Sequence, residues 1–176
     1  MHEAARLAHF KDTVLAHLNA AYNLARWLTR DDFGAEEAVQ EACVRAYRAF
    51  DNVHDASPKA WFMAIVRHCS FDWRRANKAH ALEDAYDEDA HGSNSGGVSP
   101  ETLALQNDEA RWVRAVISAL PPEYREVIVL RELDELSYKE ISAIVEVPIG
   151  TVMSRLARGR ELLQQRVSAS RARKLS

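Results

Sequence analysis

The stretch from Ser137 to Val167, SYKEISAIVEVPIGTVMSRLARGRELLQQRV, decides how the rest of the chain is interpreted. Ser137 followed three places later by Glu140 is a capping box, which predicts the start of a short helix. Pro148 cannot lie inside a helix, so the sequence predicts a turn before it and a second, longer helix after it. A short helix, a tight turn and a longer helix are typical of a helix-turn-helix.

The longer helix has an apolar side and a polar side when its residues are placed at about 100° each. The apolar side carries Val152, Leu156, Gly159, Leu163 and Val167. The polar side carries Thr151, Ser154 and Arg158, with Arg155 on the flank. This pattern favours contact with a DNA major groove, because the planar fork of arginine pairs with guanine edges or phosphates. The alternative is an ordinary helical hairpin whose arginines are a solvated face.

Composition and length indicate an ordinary globular protein. A chain of 176 residues, 47% hydrophobic and 28% charged, suggests one domain or two small ones. No apolar run approaches about 20 residues, so no transmembrane helix is expected. The N-terminus has no signal-peptide core, so a cytoplasmic location is expected. Cys43 and Cys69 lie in apolar helical patterns, which favours reduced, buried thiols over a disulfide or a metal site.

The charges are unevenly distributed. The net charge of −3 argues weakly against nucleic-acid binding. From residue 149 onward, however, seven cations face a single acid, Glu161, while acidic residues collect between positions 83 and 89. A local basic patch matters more for DNA contact than the net charge does.

The first half of the chain has three predicted helices. The first runs from Phe10 to Thr29, and the second runs from Ala35 to Phe50 after a break at residues 31–34. The second helix buries small and apolar side chains on one side, and its outer side carries Glu37, Gln40, Glu41, Val44 and Arg48. An outer side that is acidic and includes a valine would suit a partner protein, although a solvated surface explains the pattern equally well.

The third predicted helix spans residues 58–78, with Ser57 as its cap and Pro58 in its first position. One face is apolar and includes Cys69. The opposite face carries Arg67, Arg74, Arg75 and Lys78, with Phe71 among them and His68 at the edge. An exposed aromatic ring between cations is what single-stranded nucleic acid needs for stacking and phosphate contact. The alternative is that Phe71 packs against a neighbouring helix and the cations are merely solvated.

Residues 79–100 lose the apolar periodicity and become acidic, then rich in glycine and serine. We therefore expect a flexible linker at 81–100, between an N-terminal domain at 1–80 and a C-terminal domain at 101–176. Ser99-Pro100 opens a further helix, Leu120-Pro121-Pro122 separates it from the next, and residues 168–176 are expected to be a frayed basic tail. The predicted fold is all-α, with two small helical domains and the helix-turn-helix in the second.

At this point the chain resembles a bacterial RNA polymerase sigma factor of the extracytoplasmic-function (ECF, sigma-70 family group 4) type. In the first half the resemblance lies in AEEAVQE at 35–41, RAYR at 45–48, AWF at 60–62, IVR at 65–67 and DWRR at 72–75. In the second half it lies in LPPEYREV at 120–127, LSYKEI at 136–141 and VPIGTVMSRLAR at 147–158. The resemblance covers nearly the whole chain, and the order of these motifs is its most specific feature.

The resemblance assigns a role to each face. It implies that the second helix docks on the clamp coiled coil of the largest polymerase subunit, through Glu37, Gln40, Glu41, Val44 and Arg48. It implies that the third helix and the preceding loop, residues 52–57, hold and melt the −10 promoter element, through Asn52, Arg67, His68, Phe71, Arg74 and Arg75. It implies that the helix-turn-helix reads the −35 element through Thr151, Met153, Ser154, Arg155, Ala157 and Arg158.

The resemblance also implies partners: core RNA polymerase, promoter DNA and an anti-sigma factor that covers the binding faces of both domains. No enzymatic activity, cofactor, metal or membrane insertion is expected. Two other functions stay open on the residues alone. One is a stand-alone helix-turn-helix regulator whose first domain senses a ligand or dimerises, and the other is a helical adaptor that binds only proteins.

The chain departs from the family pattern at several positions. His68 stands where relatives commonly carry Asn, which leaves base preference open and could introduce pH dependence. Glu146 stands in the turn where Gly is usual, and a left-handed backbone there would cost roughly 1–2 kcal/mol. Gly34 is expected to replace an Asp cap before the second helix. Met153 and Ala157 stand where some relatives carry larger contacts, so the sequence does not predict which −35 element is read.

Overall fold

The structure is a computed structural model that describes residues 2–53, 57–78 and 100–176, with side chains from 107 onward in the last range. All the regular elements in these ranges are helices, which confirms the predicted all-α class. The predicted linker at 81–100 lies almost wholly outside the described residues.

The N-terminal half contains α1 (His2–Thr13), a 3-10 turn (Leu15–His17), α2 (Leu18–Thr29), α3 (Asp32–Ala49), a second 3-10 turn (Phe50–Asn52) and α4 (Pro58–Ala76). The C-terminal half contains α5 (Pro100–Ser118), α6 (Pro122–Ile128), one π-helical turn (Val129–Leu133), α7 (Tyr138–Val145) and α8 (Ile149–Lys174).

Several predicted helix bounds are wrong. The first helix begins at His2, before the predicted start at Phe10. The single helix predicted from Phe10 to Thr29 is interrupted after Thr13, where the chain turns so that Phe10 packs edge-on against Tyr47 and Phe50, each 5.2 Å away between ring centroids. Residues 13–17 include no glycine or proline that would have predicted this break. The basic tail is not frayed, since α8 continues to Lys174 with its last cations near the negative end of the helix dipole.

The start of α3 also differs from the prediction. The helix begins at Asp32, three residues earlier than predicted, and the Asp31 carboxylate accepts a hydrogen bond from the Gly34 amide at 2.6 Å. Asp31 is therefore the cap, and the expectation that Gly34 replaces an Asp cap is wrong. Gly34 has another role, because a Cβ there would lie 2.6 Å from the indole of Trp73 on α4.

Each half has an apolar core, and the two cores are continuous. In the first half α2, α3 and α4 pack against one another around Phe62, Met63 and Val66. In the second half α6 and α7 pack on α8, where Gly159 permits close approach because a Cβ there would lie 2.9 Å from Ile128. Contacts between α4 and α7 join the halves, so the predicted single-strand face of α4 is turned towards the C-terminal half.

Candidate nucleic-acid and polymerase interfaces

The helix-turn-helix has the predicted local geometry. Ser137 caps α7 by accepting a hydrogen bond from the Glu140 amide at 3.1 Å. Glu146 ends α7 with φ 59° and ψ 43°, so the residue that replaces the usual glycine does adopt the left-handed conformation. Pro148 is the N-cap of α8. Glu146 and Pro148 thus bound the turn between α7 and α8.

The N-terminal half of α8 has one buried and one open side. Val152, Leu156 and Gly159 are buried, as predicted. All six predicted −35 residues lie off this buried stripe: Met153, Ser154, Ala157 and Arg158 are exposed, and Thr151 and Arg155 are half-buried. Arg158 donates a hydrogen bond to Glu161 at 2.9 Å, whereas Arg155 forms no ion pair with any described residue.

Two apolar side chains are exposed on the same part of α8. Met153 is 52% exposed and Ile149 is 43% exposed. Ile149 was not among the residues predicted from sequence, although an apolar residue in the first turn of a predicted recognition helix is a signal that could have identified it. Apolar groups on such a helix can contact the methyl group of thymine in the major groove.

The outer face of α3 is open. Glu37, Gln40, Glu41, Val44 and Arg48 are all exposed, as predicted. The sequence reasoning missed Phe33, which is 66% exposed and lies one turn before Glu37 on the same side. Its spacing of four residues from Glu37 was the available signal.

A groove of about 500 Å³ runs beside this outer face, between α3 and α4. Its charged groups are already paired within the chain: Trp73 donates to Glu37 at 2.8 Å, and Arg45 donates to Glu41 at 2.8 Å and to Asp72 at 3.2 Å. The groove therefore has a preorganised polar lining, and Val44 is its exposed apolar residue.

The predicted −10 face of α4 is not freely exposed. The Arg67 side chain is 15% exposed and is paired with Glu126 of α6, while its guanidinium carbon lies 4.7 Å above the ring of Phe71. Phe71 is half-buried against the core, so the expectation of an exposed aromatic ring is wrong for this conformation. Phe71 is instead packed against neighbouring residues, as the alternative stated above expected, because the C-terminal half covers this part of α4.

The other predicted −10 residues lie around this covered area. His68 is exposed, and its Nε2 lies 3.5 Å from Glu146 Oε1 in the turn of the helix-turn-helix. Arg74 is half-buried and Arg75 is exposed and paired with Asp72. Asn52 is exposed at the end of the second 3-10 turn, and residues 54–56 of the predicted loop lie outside the described residues.

Burial shifts the pKa of several side chains, among them the two cysteines and Asp134. It raises the pKa of Cys69 to about 11 and raises that of Cys43. Both cysteines are free; Cys69 is buried as predicted, whereas Cys43 is half-buried. Burial also raises the pKa of Asp134 to about 6, against the opposing charge of Lys59. Asp134 is 7% exposed, and one of its carboxylate oxygens has no hydrogen-bond partner.

The described residues include no group of three or more His, Cys, Asp and Glu side chains arranged to hold a metal ion. Among the helices searched in those same ranges, none combines the length and apolarity that crossing a bilayer requires.

Comparison with known proteins identifies the family. Sigma-70 region 2 matches residues 13–80, and Sigma-70 region 4 matches residues 110–163. The ECF RNA polymerase sigma-E factor of Escherichia coli K12 is 36% identical over 138 residues, which cover 74% of this chain and 72% of that protein. The chain belongs to the ECF RNA polymerase sigma factors. The resemblance predicted from the motifs is therefore confirmed.

Further relatives extend the match. The ECF sigma factor SigE of Mycolicibacterium smegmatis is 30% identical over 162 residues, which cover 92% of this chain but 63% of that protein. Two solved structures share the fold at 24% identity and 91% coverage of this chain. They are the sigma factor RpoE in complex with the anti-sigma factor NepR from Bartonella quintana, with a TM-score of 0.69 over 97% of that chain, and CnrH in complex with the cytosolic domain of CnrY, with a TM-score of 0.64 over 88%.

Proposed function

We propose that this sigma factor directs core RNA polymerase to promoters through three separate faces. The outer face of α3 binds the polymerase, α4 with the loop before it holds the unpaired −10 strand, and the N-terminal half of α8 reads the −35 duplex. The observation that carries the proposal is the match to sigma-70 regions 2 and 4 in that order, on halves that carry these faces.

The α8 face supports duplex reading. Arg155 and Arg158 supply the cations, Ser154 and Thr151 supply hydroxyl groups, and Met153 supplies an apolar contact, all within two turns of one helix. Such a mixture can combine guanine or phosphate contacts with thymine-methyl contacts. The Arg158 guanidinium must exchange its exposed partner Glu161 for DNA, which costs little because exposed ion pairs contribute only about 0–1 kcal/mol.

The α4 face supports binding of an unpaired strand. Phe71 offers a ring, and Arg67, Arg74 and Arg75 offer cations along the same helix. Stacking on an aromatic side chain contributes about 1–3 kcal/mol per base, which offsets part of the few kcal/mol needed to extrude that base from a duplex.

The α3 face supports docking on a protein. Its exposed valine and phenylalanine lie beside paired charges, and the surface is part of a rigid helix pair, α3 and α4. Once this face is docked, the tethered −35 domain meets promoter DNA at a raised effective concentration. Neither DNA-binding face then needs high affinity alone.

An anti-sigma factor is the proposed regulator. One solved structure that shares this fold, RpoE of Bartonella quintana, is bound to the anti-sigma factor NepR, and another, CnrH, is bound to the cytosolic domain of CnrY, which supports a protein partner of this kind for this chain. A stand-alone regulator is the weaker alternative, because the arginines around Phe71 on α4 have no use in a sensing domain. A purely protein-binding adaptor would leave Arg155 and Arg158 without a function.

Run-off transcription with purified core polymerase and a pool of promoter fragments tests the proposal. We expect initiation that depends on this chain, that falls with Phe71→Ala and with Arg155→Ala, and that is unchanged by Arg173→Ala at the far end of α8. Tight DNA binding by the chain alone, with no initiation in the presence of polymerase, would instead favour the stand-alone regulator.

A further inference from the structure

The interface between the two halves has a consistent electrical polarity. In four of the polar contacts between described residues that cross it, a side-chain nitrogen of the N-terminal half faces an oxygen of the C-terminal half. Arg67 pairs with Glu126, Lys59 donates to the Asp134 carbonyl at 2.9 Å, Arg30 donates to the Ser118 carbonyl, and His68 lies 3.5 Å from Glu146. The covered face of α4 is thus a cationic surface facing oxygen atoms.

The Arg67–Glu126 pair is the most enclosed of these contacts. The two side chains are 15% and 6% exposed, and a second guanidinium nitrogen lies 3.4 Å from the other carboxylate oxygen. A guanidinium binds carboxylate and phosphate with the same two-pronged geometry. The Glu126 carboxylate therefore occupies the position on Arg67 that a strand phosphate would take, directly beside the ring of Phe71.

We propose that the C-terminal half of this chain is an internal occupant of the strand-binding face of α4, with Glu126 in the place of a DNA phosphate. This inference rests on the proposed function, since it assumes that α4 binds the unpaired strand. In the closed chain Arg67 and Phe71 are unavailable, so the halves must separate before the −10 strand can bind.

The energetics of the Arg67–Glu126 pair allow the two halves to separate. Burying an ion pair costs desolvation that nearly cancels the attraction, so the intact pair adds little net stability to the closed form. Removing only the carboxylate charge leaves a half-buried Arg67 without its partner, which selectively destabilises the closed form. A ligand that binds only the open form has an apparent affinity equal to its intrinsic affinity multiplied by the fraction of open molecules. A variant that increases this fraction therefore binds the ligand more tightly.

The test is Glu126→Gln in the full chain, which keeps the side-chain size and removes the charge. Glu132→Gln is the matched control, because it removes the same charge from an arginine pair, with Arg160, that lies within the C-terminal half. Small-angle X-ray scattering reports the radius of gyration, which is about 16 Å for a compact chain of this length. Fluorescence anisotropy reports binding to a pool of randomised single-stranded DNAs about 12 nucleotides long.

We expect Glu126→Gln to increase the radius of gyration and to tighten DNA binding about fivefold or more, while Glu132→Gln changes neither. Far-UV circular dichroism establishes that both variants are folded.

Two results would overturn the proposal. If the unaltered chain is already as expanded as Glu126→Gln and binds the strand equally well, the C-terminal half does not occupy the face. If Glu126→Gln expands the chain and neither form binds the strand, then α4 is not a strand-binding face, and the proposed function fails while domain closure stands.

Discussion

At the residue scale, the buried carboxyl group of Asp134 makes stability depend on pH between about 4 and 6. Its folded-state pKa of about 6 lies above its usual 3.8, so the folded chain binds this proton more tightly than the unfolded chain does. The resulting stabilisation is fully present below pH 4 and is lost as the pH rises through about 6. Above pH 7 the carboxylate is charged in both the folded and the unfolded chain. Burying this charge then lowers the free energy of unfolding.

We predict that Asp134→Asn removes this cost, because the amide resembles the protonated acid. At pH 8 the free energy of unfolding should rise by roughly 1–3 kcal/mol, and the gain should shrink towards pH 5. Urea unfolding of both proteins between pH 5 and pH 8 measures the difference. A difference that is the same at every pH would contradict the assignment.

Gly34 gives a second prediction at this scale. Its missing side chain leaves room for the Trp73 indole, so Gly34→Ala forces the ring to move and should lower the free energy of unfolding by about 1–3 kcal/mol. Gly150 is the matched control, because a Cβ there meets nothing within 4 Å. Gly150→Ala should be neutral or should stabilise α8 by up to about 1 kcal/mol. Equal losses in the two variants would contradict the packing role of Gly34.

At the scale of the element, α8 makes a prediction about DNA. Arg155→Ala and Arg158→Ala should each weaken binding to promoter duplex about tenfold, if each removes about 1.4 kcal/mol, and should reduce the salt dependence of binding by about one ion. Arg166→Ala removes the same charge about 16 Å further along the helix and should have a smaller effect. Affinity measured at several salt concentrations tests this, and an equal loss for Arg166→Ala would indicate a non-specific basic surface.

The helix boundaries differ in how well they could be predicted from the sequence. Helix starts marked by side-chain chemistry were predicted correctly at Ser57, Ser137 and Pro148, because a cap acts over three or four residues. The break after Thr13 was missed because only the distant rings of Tyr47 and Phe50 explain it. The cap at Asp31 was missed because Gly34, three residues later, resembled a helix breaker.

At the scale of the whole molecule, the sequence predicted which residues share a helix face, but not that the face of α4 is covered. The exposed sides of α3 and α8 followed from periodicity alone, since those helices pack within their own halves. The face of α4 did not, because Arg67 and Phe71 meet Glu126, which is 59 positions from Arg67 in the chain. No local sequence pattern reports a contact between residues so far apart in the chain.

The central claim is that two weak DNA-binding faces become effective only when the polymerase holds them. Fluorescence of 2-aminopurine placed in the −10 element of a promoter duplex tests it most directly, because the signal rises when that base unstacks. The claim predicts no rise with the chain alone, a rise with the chain and core polymerase together, and a reduced rise with Phe71→Ala. A full rise with the chain alone, or none when core polymerase is added, would contradict it.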